Sequence, residues 1–475
     1  MGFFISTTSE ILTTMKAPFD IAADLDTPVS AYMKLKQFKP CFLLESVEGG
    51  ERLARYSFLG LGARLTLELY PDALRVNGEA VPRPDSSAAW LAVVRDALAT
   101  SPDLNPAIEG IPFSGGLVGA TGYDVVRYFE RLPDNHAPYE GLPQAAYVAP
   151  ESLLIFDHLT RRVALLHSGT DDERQALRHE VIQALRSGID SGKKQGGFSV
   201  AESSLSRAEF KAAVDQCKSH ITAGDIYQIV LSVRFSGTTD LDPFQCYRAL
   251  RLLNPSPYMY FLEIGELTVA GSSPEALVRL DGRSASLSPI AGTRPRGQTS
   301  AEDLALEEEL LADPKENAEH IMLVDLARND LGRVATAGSV HVEPYRKIER
   351  YSHVMHIVSG VRGEVVADKD APDLFAATFP AGTLVGAPKV RAMELIAGME
   401  PVGRGLYAGT VGYFAKNGNM DQAITIRTMV FNGGEYSFQA GAGIVADSDP
   451  ESEYQEVLAK SAILRRALEI AEEGL

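Results

Sequence analysis

Residues 313–332 read DPKENAEHIMLVDLARNDLG and residues 449–460 read DPESEYQEVLAK, and both stretches open on aspartate followed by proline. An aspartate side chain accepts the free N–H groups of a first helical turn, and proline is tolerated there because its missing N–H had no partner. The first stretch therefore predicts a helix from Asp313-Pro314 to about Asn329, with Gly332 just past its end. The second predicts a helix from Asp449-Pro450 to about Glu473, with Tyr454, Val457, Leu458, Leu464 and Leu468 on one apolar stripe. Each helix carries two glutamates three residues apart, hence on one face: Glu316 with Glu319, and Glu453 with Glu456, Lys460 lying four residues beyond. Two readings stay open. Glu316 is also the fourth residue of a D-x-x-E capping box, and Glu456 with Lys460 is also an ordinary surface pair. If instead the helices meet, four carboxylates face one cation, and Mg²⁺ takes such ligands together with waters and an anionic substrate group. Spacing within each helix says nothing about the distance between them.

Working outward, several segments suit an anion. PIAGTRPRG (289–297) reads as a constrained loop in which Thr293 supplies a hydroxyl and Arg294 and Arg296 permanent charge. AGAGI (440–444) reads as a turn whose Gly441 and Gly443 leave backbone N–H groups open to a carboxylate. Arg427 lies in AITIRTMV (423–430), a strand-like run where a lone guanidinium is costly, so it should meet a carboxylate, internal or from a ligand. FPAGTLVGAPKVRAMELI (379–396) is a turn leading into a helix begun by Pro388. In YSHVMHIVSGV (351–361), Val354, His356 and Val358 share one strand face, where a lone histidine is more often a core residue than a catalytic one.

The chain has 475 residues, enough for one large domain or two to three smaller ones. The Gly/Ser/Lys-rich stretch at about 188–205 is the best linker, dividing region 1–190 from region 206–475. Before it, Cys41–Leu44, Arg64–Leu69 and a hairpin of Ser152–Asp157 with Arg162–His167 read as strands, and 171–188 as a helix. After it, Ser206 and Glu209 form a capping box, and strands such as Tyr258–Ile264 and Val411–Phe414 mix with helices. This order lacks the strand-helix beat of a barrel and favours α/β or α+β with large mixed or antiparallel sheets. Lys and Arg number 45 against 63 Asp and Glu, a net charge of −18 without a basic stripe, which argues against nucleic acid and membrane surfaces. No GxGxxG or P-loop pattern occurs at a strand-to-helix junction. Cys41, Cys217 and Cys246 show no metal-ligand spacing, as expected in a reducing cytoplasm. The N-terminus lacks signal-peptide order; Met1-Gly2 with Ser6 matches only the minimal myristoylation pattern. No apolar run reaches the ~18 residues of a membrane span.

Taken together, PIAGTRPRG, KENAEHIMLVDLARNDLGRV (315–334), YSHVMHIVSGV, FPAGTLVGAPKVRAMELI and QAGAGIVADSDPESEYQEVLAK (439–460) resemble the ordered motifs of the chorismate-utilising enzymes. FLLESVEGG (42–50), RYSFLG (55–60) and FSGGLVGATGYD (113–124) extend the resemblance into the N-terminal half. The resemblance implies an α+β fold of two large, mostly antiparallel sheets packed face to face with helices outside, the catalytic region interleaved with the N-terminal sheet. Relatives that form aminodeoxychorismate carry a nucleophilic Lys where Ala291 stands, and water-using relatives carry a Lys base where Gln228 stands in GDIYQIVLS. Both absences point to ammonia as the nucleophile, the chemistry of the anthranilate synthase branch. By the same resemblance, Glu319 and Glu456, with Glu316 and Glu453 beside them, would hold Mg²⁺ and through it the ring carboxylate of chorismate. Arg427, Tyr407 and the N–H groups around Gly441, Ala442 and Gly443 would hold the enolpyruvyl carboxylate, Gly292, Thr293 and Thr383 would line the ring pocket, and Lys460 is a further substrate-binding candidate. His356, Thr383, Glu316 and Gln228 are the candidate catalytic residues. Ser46, with Pro257, Tyr258 and Met259, would form a pocket for L-tryptophan as inhibitor. The resemblance further implies a separate glutamine amidotransferase subunit supplying ammonia, in a hetero-oligomer of heterotetramer type. A folate-pathway aminodeoxychorismate synthase and a non-catalytic tryptophan-binding subunit are the alternatives.

Overall fold

Alternating and continuously apolar runs build the strands of this chain, and amphipathic runs build its helices. A computed structural model describes residues 18–46, 55–133, 141–189, 196–350 and 354–475. Met1, Gly2, Ser6 and residues 190–195 of the candidate linker lie outside the described residues, as do parts of two motifs, 47–50 and 351–353. The N-terminal strands are β1 (Pro40–Glu45), β2 (Tyr56–Leu69), β3 (Gly116–Thr121), β4 (Ala145–Asp157) and β5 (Arg162–His167). The strand expected at Arg64–Leu69 is the second half of β2; in the first half, Ser57 to Leu61 are buried on both faces, so no alternation marks it. Helix α1 (Asp171–Leu185) follows, closed by a Thr170–Glu173 capping box.

In the second region, α2 (Arg207–Ala223) starts on the Ser206–Glu209 capping box and ends at Gly224 in the left-handed conformation. Then come β6 (Gln228–Thr238), α3 (Pro243–Leu253), β7 (Tyr258–Ile264), β8 (Leu267–Ser273), β9 (Ala276–Asp281) and β10 (Ile290–Pro295). Next are α4 (Pro314–Gly332), β11 (Val354–Val358), α5 (Lys389–Met399), β12 (Thr410–Ala415), β13 (Met420–Ile424), β14 (Thr428–Asn432), β15 (Glu435–Ile444) and α6 (Pro450–Glu473). Helix α4 runs further than expected: Gly332 is its last residue and Arg333 the cap, in right-handed geometry, so this glycine serves no left-handed turn.

Among the described residues, the strands form one antiparallel network of 21 and a small sheet of three. The long β4 pairs with β2 along its length, while its other edge meets β3 at residues 145–148 and β5 at 152–157, and the network splits there into two leaves. One leaf runs β4, β2, β1, β7, β8, β14, β15, β6. The other runs β3, β12, β13, β9. Phe42, Phe58, Phe113, Val118, Tyr260, Val411 and Tyr413 fill the space between the leaves. Helices α2, α3 and α6 pack on the outer face of the first leaf through Phe210, Val214, Val457, Leu464 and Leu468. The expected pair of facing antiparallel sheets with helices outside is thus present, as two leaves of one curled sheet.

Pairing of β1 with β7 and of β3 with β12 joins the two sequence regions within this sheet. The candidate linker, from Gly197 onward, lies along β6: Ser199 N donates to Thr238 O at 2.9 Å, and Glu202 and Ser203 pair with Ser236 and Phe235.

Two segments read as loops are strands. Residues 290–295 of PIAGTRPRG are β10, paired with β11 around a bulge at Gly292, where φ is +70°. AGAGI is the end of β15, paired residue by residue with β6. Glycine and proline signal turns locally, but a strand partner 65 or 210 residues away in sequence overrides them.

Candidate active site

The two Asp-Pro helices meet at one cavity of about 620 Å³, lined by Glu316 and Glu319 of α4 and Glu453 and Glu456 of α6. The cap of α4 forms as expected, Asp313 Oδ1 accepting from Lys315 N at 2.9 Å and Glu316 N at 3.2 Å. Glu316 does not complete a capping box; its carboxylate faces Arg294 Nη1 at 3.3 Å. Glu456 pairs with Lys460 at 2.6 Å, and Lys460 Nζ also donates to Gly441 O at 3.1 Å, which ties this pair to the cavity wall. Glu319 Oε1 accepts from Gln228 Nε2 at 3.2 Å. Burial raises the Glu319 carboxyl above its ordinary range, and the nearby charges of Glu316 and Glu456 add to the effect. Burial, with Glu456, also raises Glu453.

Among the described residues, no three His, Cys, Asp or Glu side chains stand close enough to form a finished cation cage. The four glutamates nevertheless fit Mg²⁺: all are hard oxygen donors, two are partly desolvated against like charge, and Mg²⁺ keeps waters and takes substrate oxygens in place of a full protein cage.

The opposite wall is β15. Val230 and Ser232 of β6 send their N–H groups away from it, to Val385 O and Glu400 Oε1. Their partners Gly443 and Gly441 are therefore the non-hydrogen-bonded residues of the ladder, and their own N–H groups point to the free edge. A Cβ on Gly441 would stand 2.6 Å from Leu231 O and 2.7 Å from Tyr407 Oη, so that position needs glycine for close approach, and one on Gly443 would stand 2.8 Å from Gln228 Nε2 and displace that amide. Ala442 points the other way, fully buried in the core, and does not line the cavity. Arg427 lines it, but from a kink between β13 and β14 with φ +50°, not from an unbroken strand; Nη1 donates to Asn254 Oδ1 at 3.4 Å. Tyr407 lines the same wall and is buried.

Gly292, Thr293 and His356 line the cavity from the three-stranded sheet. The apolar face of β11 is Met355 and Ile357, both fully buried, so His356 sits with Val354 on the cavity face and is not a core residue. Its Nδ1 lies 3.0 Å from Gly292 O and 3.1 Å from Thr293 Oγ1. Burial lowers its pKa, so the ring is neutral with Nδ1–H donated to the carbonyl, which makes Nε2 the basic nitrogen. Arg294 and Arg296 do not provide the open anion site expected of them. Arg294 bridges Glu309 (2.9 Å), Asp313 (2.9 Å) and Glu316 (3.3 Å), and Arg296 holds Asp303 (2.7 Å).

Glu275, which the sequence reading passed over, lines the cavity beside Thr383, whose Oγ1 donates to Glu275 Oε1 at 3.1 Å. Burial pushes its carboxyl up to about 7. A single Glu in SSPEA carries no local mark of this; its partner Thr383 lies far along the chain.

Ser46, Pro257, Tyr258 and Met259 come together around a second cavity of about 120 Å³, with Phe58, Arg279, Tyr413 and Asp421. Tyr258 Oη donates to Asp421 Oδ1 at 3.0 Å, and Arg279 holds Asp421 Oδ2 at 2.7 Å.

The sequence model of the chorismate binding enzyme family matches residues 39–466. The anthranilate synthase component 1 of Thermus thermophilus is 47% identical over 95% of this chain and 97% of its own length. That of Pseudomonas aeruginosa is 44% identical over 96% of each. The crystal structure of anthranilate synthase component I from Streptococcus pneumoniae superposes with a TM-score of 0.78 at 34% identity, covering 94% of this chain and 99% of the other. The menaquinone-specific isochorismate synthase of Escherichia coli, at 20% identity and a TM-score of 0.69 over 94% of this chain and 92% of its own, shares the fold. The chain belongs to the chorismate binding enzymes, on the anthranilate synthase component 1 branch.

Proposed function

We propose that the protein converts chorismate and ammonia to anthranilate and pyruvate. One observation carries this: a single cavity sets four glutamates from two helices opposite Arg427 and the free N–H edge of Gly441 and Gly443. A dianionic ring bearing two carboxylates suits those two poles. Glu319 and Glu456, with Glu316 and Glu453 beside them, would hold Mg²⁺, which when bound would stabilise charge on the ring carboxylate. Arg427, Tyr407 and the strand edge bind the enolpyruvyl carboxylate.

Ammonia adds at C2, the ring double bonds shift, and the C4–O bond breaks with its electron pair. Glu275, its carboxyl pushed up to about 7, holds its proton below that pH and gives that oxygen the proton that makes it water. Thr383 orients the Glu275 carboxyl. Loss of the C2 proton and of the C3–O bond then releases pyruvate and forms the aromatic ring, and His356 Nε2 is the base for that proton. Ala291 and Gln228 supply no lysine to compete as nucleophile or water base.

The small cavity around Ser46 takes L-tryptophan as inhibitor, and a separate glutamine amidotransferase subunit supplies ammonia in a hetero-oligomer, a heterotetramer by resemblance to the family. Chorismate, Mg²⁺ and an ammonium salt should yield fluorescent anthranilate, suppressed by tryptophan. A product that retains its enolpyruvyl group would mean an aminodeoxychorismate synthase, and no product would mean a non-catalytic subunit.

A further inference from the structure

Behind the glycine wall lies a fully buried ion pair. Arg404 and Glu400 have side chains 1% and 3% exposed and are joined through Nη2 to Oε1 at 2.7 Å and Nε to Oε2 at 2.9 Å. Arg404 also donates to Leu384 O and Val230 O, both at 2.8 Å. Buried ion pairs are poor stabilisers, because desolvation offsets their attraction. The geometry assigns this one another role. Glu400 Oε1 accepts from Ser232 N at 2.9 Å and Ser232 Oγ at 2.7 Å. The only hydroxyl proton of Ser232 is thereby committed to a carboxylate, and its Oγ can only accept from Gln439, 2.7 Å away. The near atom of that amide must therefore be Nε2, and the amide cannot flip. Its Oε1 is left buried and without a hydrogen-bond partner among the described residues. Gln439 is 6% exposed and lines the large cavity, on the same face of β15 as Gly441 and Gly443.

We propose that Gln439 Oε1 accepts a hydrogen bond from a reactant in the cavity, and that Ser232, anchored by Glu400 and Arg404, is the positioning residue that aims it. The ligand group must be a donor, either the ring hydroxyl of chorismate or an N–H of ammonia, since a carboxylate would be repelled. The inference rests on the proposed turnover of chorismate, so the wild-type protein must first form anthranilate from chorismate and ammonium. If it does not, that reading fails and this one is not reached.

Gln439→Met fills the same volume and removes a buried acceptor, so it should fold as well as the wild type in thermal unfolding. Its kcat/KM is expected to fall ~10-fold or more, the worth of one buried hydrogen bond left unmade. Ser232→Ala, which frees the amide to flip, should lose ~5-fold or more, and Ser232→Thr, which keeps the hydroxyl, should recover most of that loss. The double variant Gln439→Met/Ser232→Ala should be no worse than Gln439→Met alone, because Ser232 acts through Gln439. A loss in kcat/KM for chorismate assigns the ring hydroxyl; a loss confined to ammonium assigns ammonia. Wild-type values in Gln439→Met for both reactants, or losses that multiply in the double variant, overturn the proposal.

Discussion

Pro257 lines both cavities, yet the walls on its two sides differ in kind. The large cavity keeps polar groups unsatisfied: Gln228 Oε1 and Gln439 Oε1 are buried without partners among the described residues, the half-buried Glu275 carboxyl is raised by desolvation, and carboxylates on two helices repel each other. In the small cavity Ser46 Oγ is likewise buried without a partner among the described residues, but the charged groups are closed on themselves, with Tyr258, Asp421 and Arg279 linked in a chain and Phe58 and Tyr413 beside them. Unmet groups are costly until a ligand meets them, which suits a site that must bind a changing charge. Met groups hold a shape, which suits recognition of one fixed molecule. Substitutions should sort accordingly, with large losses of turnover on one side of Pro257 and small ones on the other.

The largest effect belongs to Glu319→Gln or Glu456→Gln. Turnover should fall by at least ~10³-fold, since a metal-held carboxylate of the substrate loses its anchor. Glu319 is raised by burial and like charge, so neutralising it relieves repulsion and the melting temperature should not drop. Normal fluorescence yield in either variant removes the metal argument. Activity of the wild type after chelation of divalent ions would do the same.

Next comes Glu275→Gln, expected to cost ~10²- to 10⁴-fold in kcat, the usual range for a general acid. With the folded carboxyl at about 7, the wild type keeps its acid protonated below that pH and loses it above. At saturating free ammonia, kcat should fall as pH rises through about 7, and the residual rate of Glu275→Gln should not. Stability follows the same sign. The raised group binds more protons folded than unfolded, so its contribution is full below the unfolded value and is lost as pH rises through about 7. Glu275→Gln should therefore lose less stability than the wild type in thermal unfolding as pH rises from the ordinary carboxylate range to about 7, and run parallel to it above.

What the sequence made legible follows the same division between local and distant causes. Asp313-Pro314, Asp449-Pro450 and Ser206 with Glu209 act within one turn, and all three helices start where those residues stand. The same-face spacing of Glu316 with Glu319 and of Glu453 with Glu456 was equally readable, but their meeting was not, because it depends on α4 and α6 flanking one cavity. PIAGTRPRG and AGAGI misled through their glycines: Gly292 serves a bulge and Gly441 a close approach, both inside strands paired far along the chain. Arg294 and Arg296 looked like ligand charges because their partners Glu309, Asp313 and Asp303 were just helix residues until the small sheet packed on them. His356 changed meaning because alternation gave its face but not which face was outward. Glu275 had no local signal at all.

On the small side, Ser46→Phe should fill the cavity of about 120 Å³ and abolish inhibition by tryptophan. Turnover should stay within ~3-fold, because the substitution adds bulk away from the glutamates. Unchanged inhibition would mean tryptophan does not bind there.

The smallest expected effect is the sharpest test of independence. Tyr258→Phe removes one oxygen and one hydrogen bond to Asp421, whose Oδ2 stays held by Arg279. One neutral donor lost to a carboxylate with other partners costs about 1 kcal/mol. Stability should therefore change little, and tryptophan inhibition should weaken ~5-fold, the same energy read as affinity. Tyr258 starts β7, and the preceding residues of the same segment, Asn254 to Pro257, line the large cavity, where Asn254 Oδ1 accepts from Arg427. If the two walls are independent, kcat/KM for chorismate in Tyr258→Phe stays within ~2-fold of wild type. If kcat/KM falls ~10-fold while inhibition is unchanged, the Tyr258–Asp421 bond positions Asn254 and Arg427 for catalysis, and the division of labour at Pro257 is wrong.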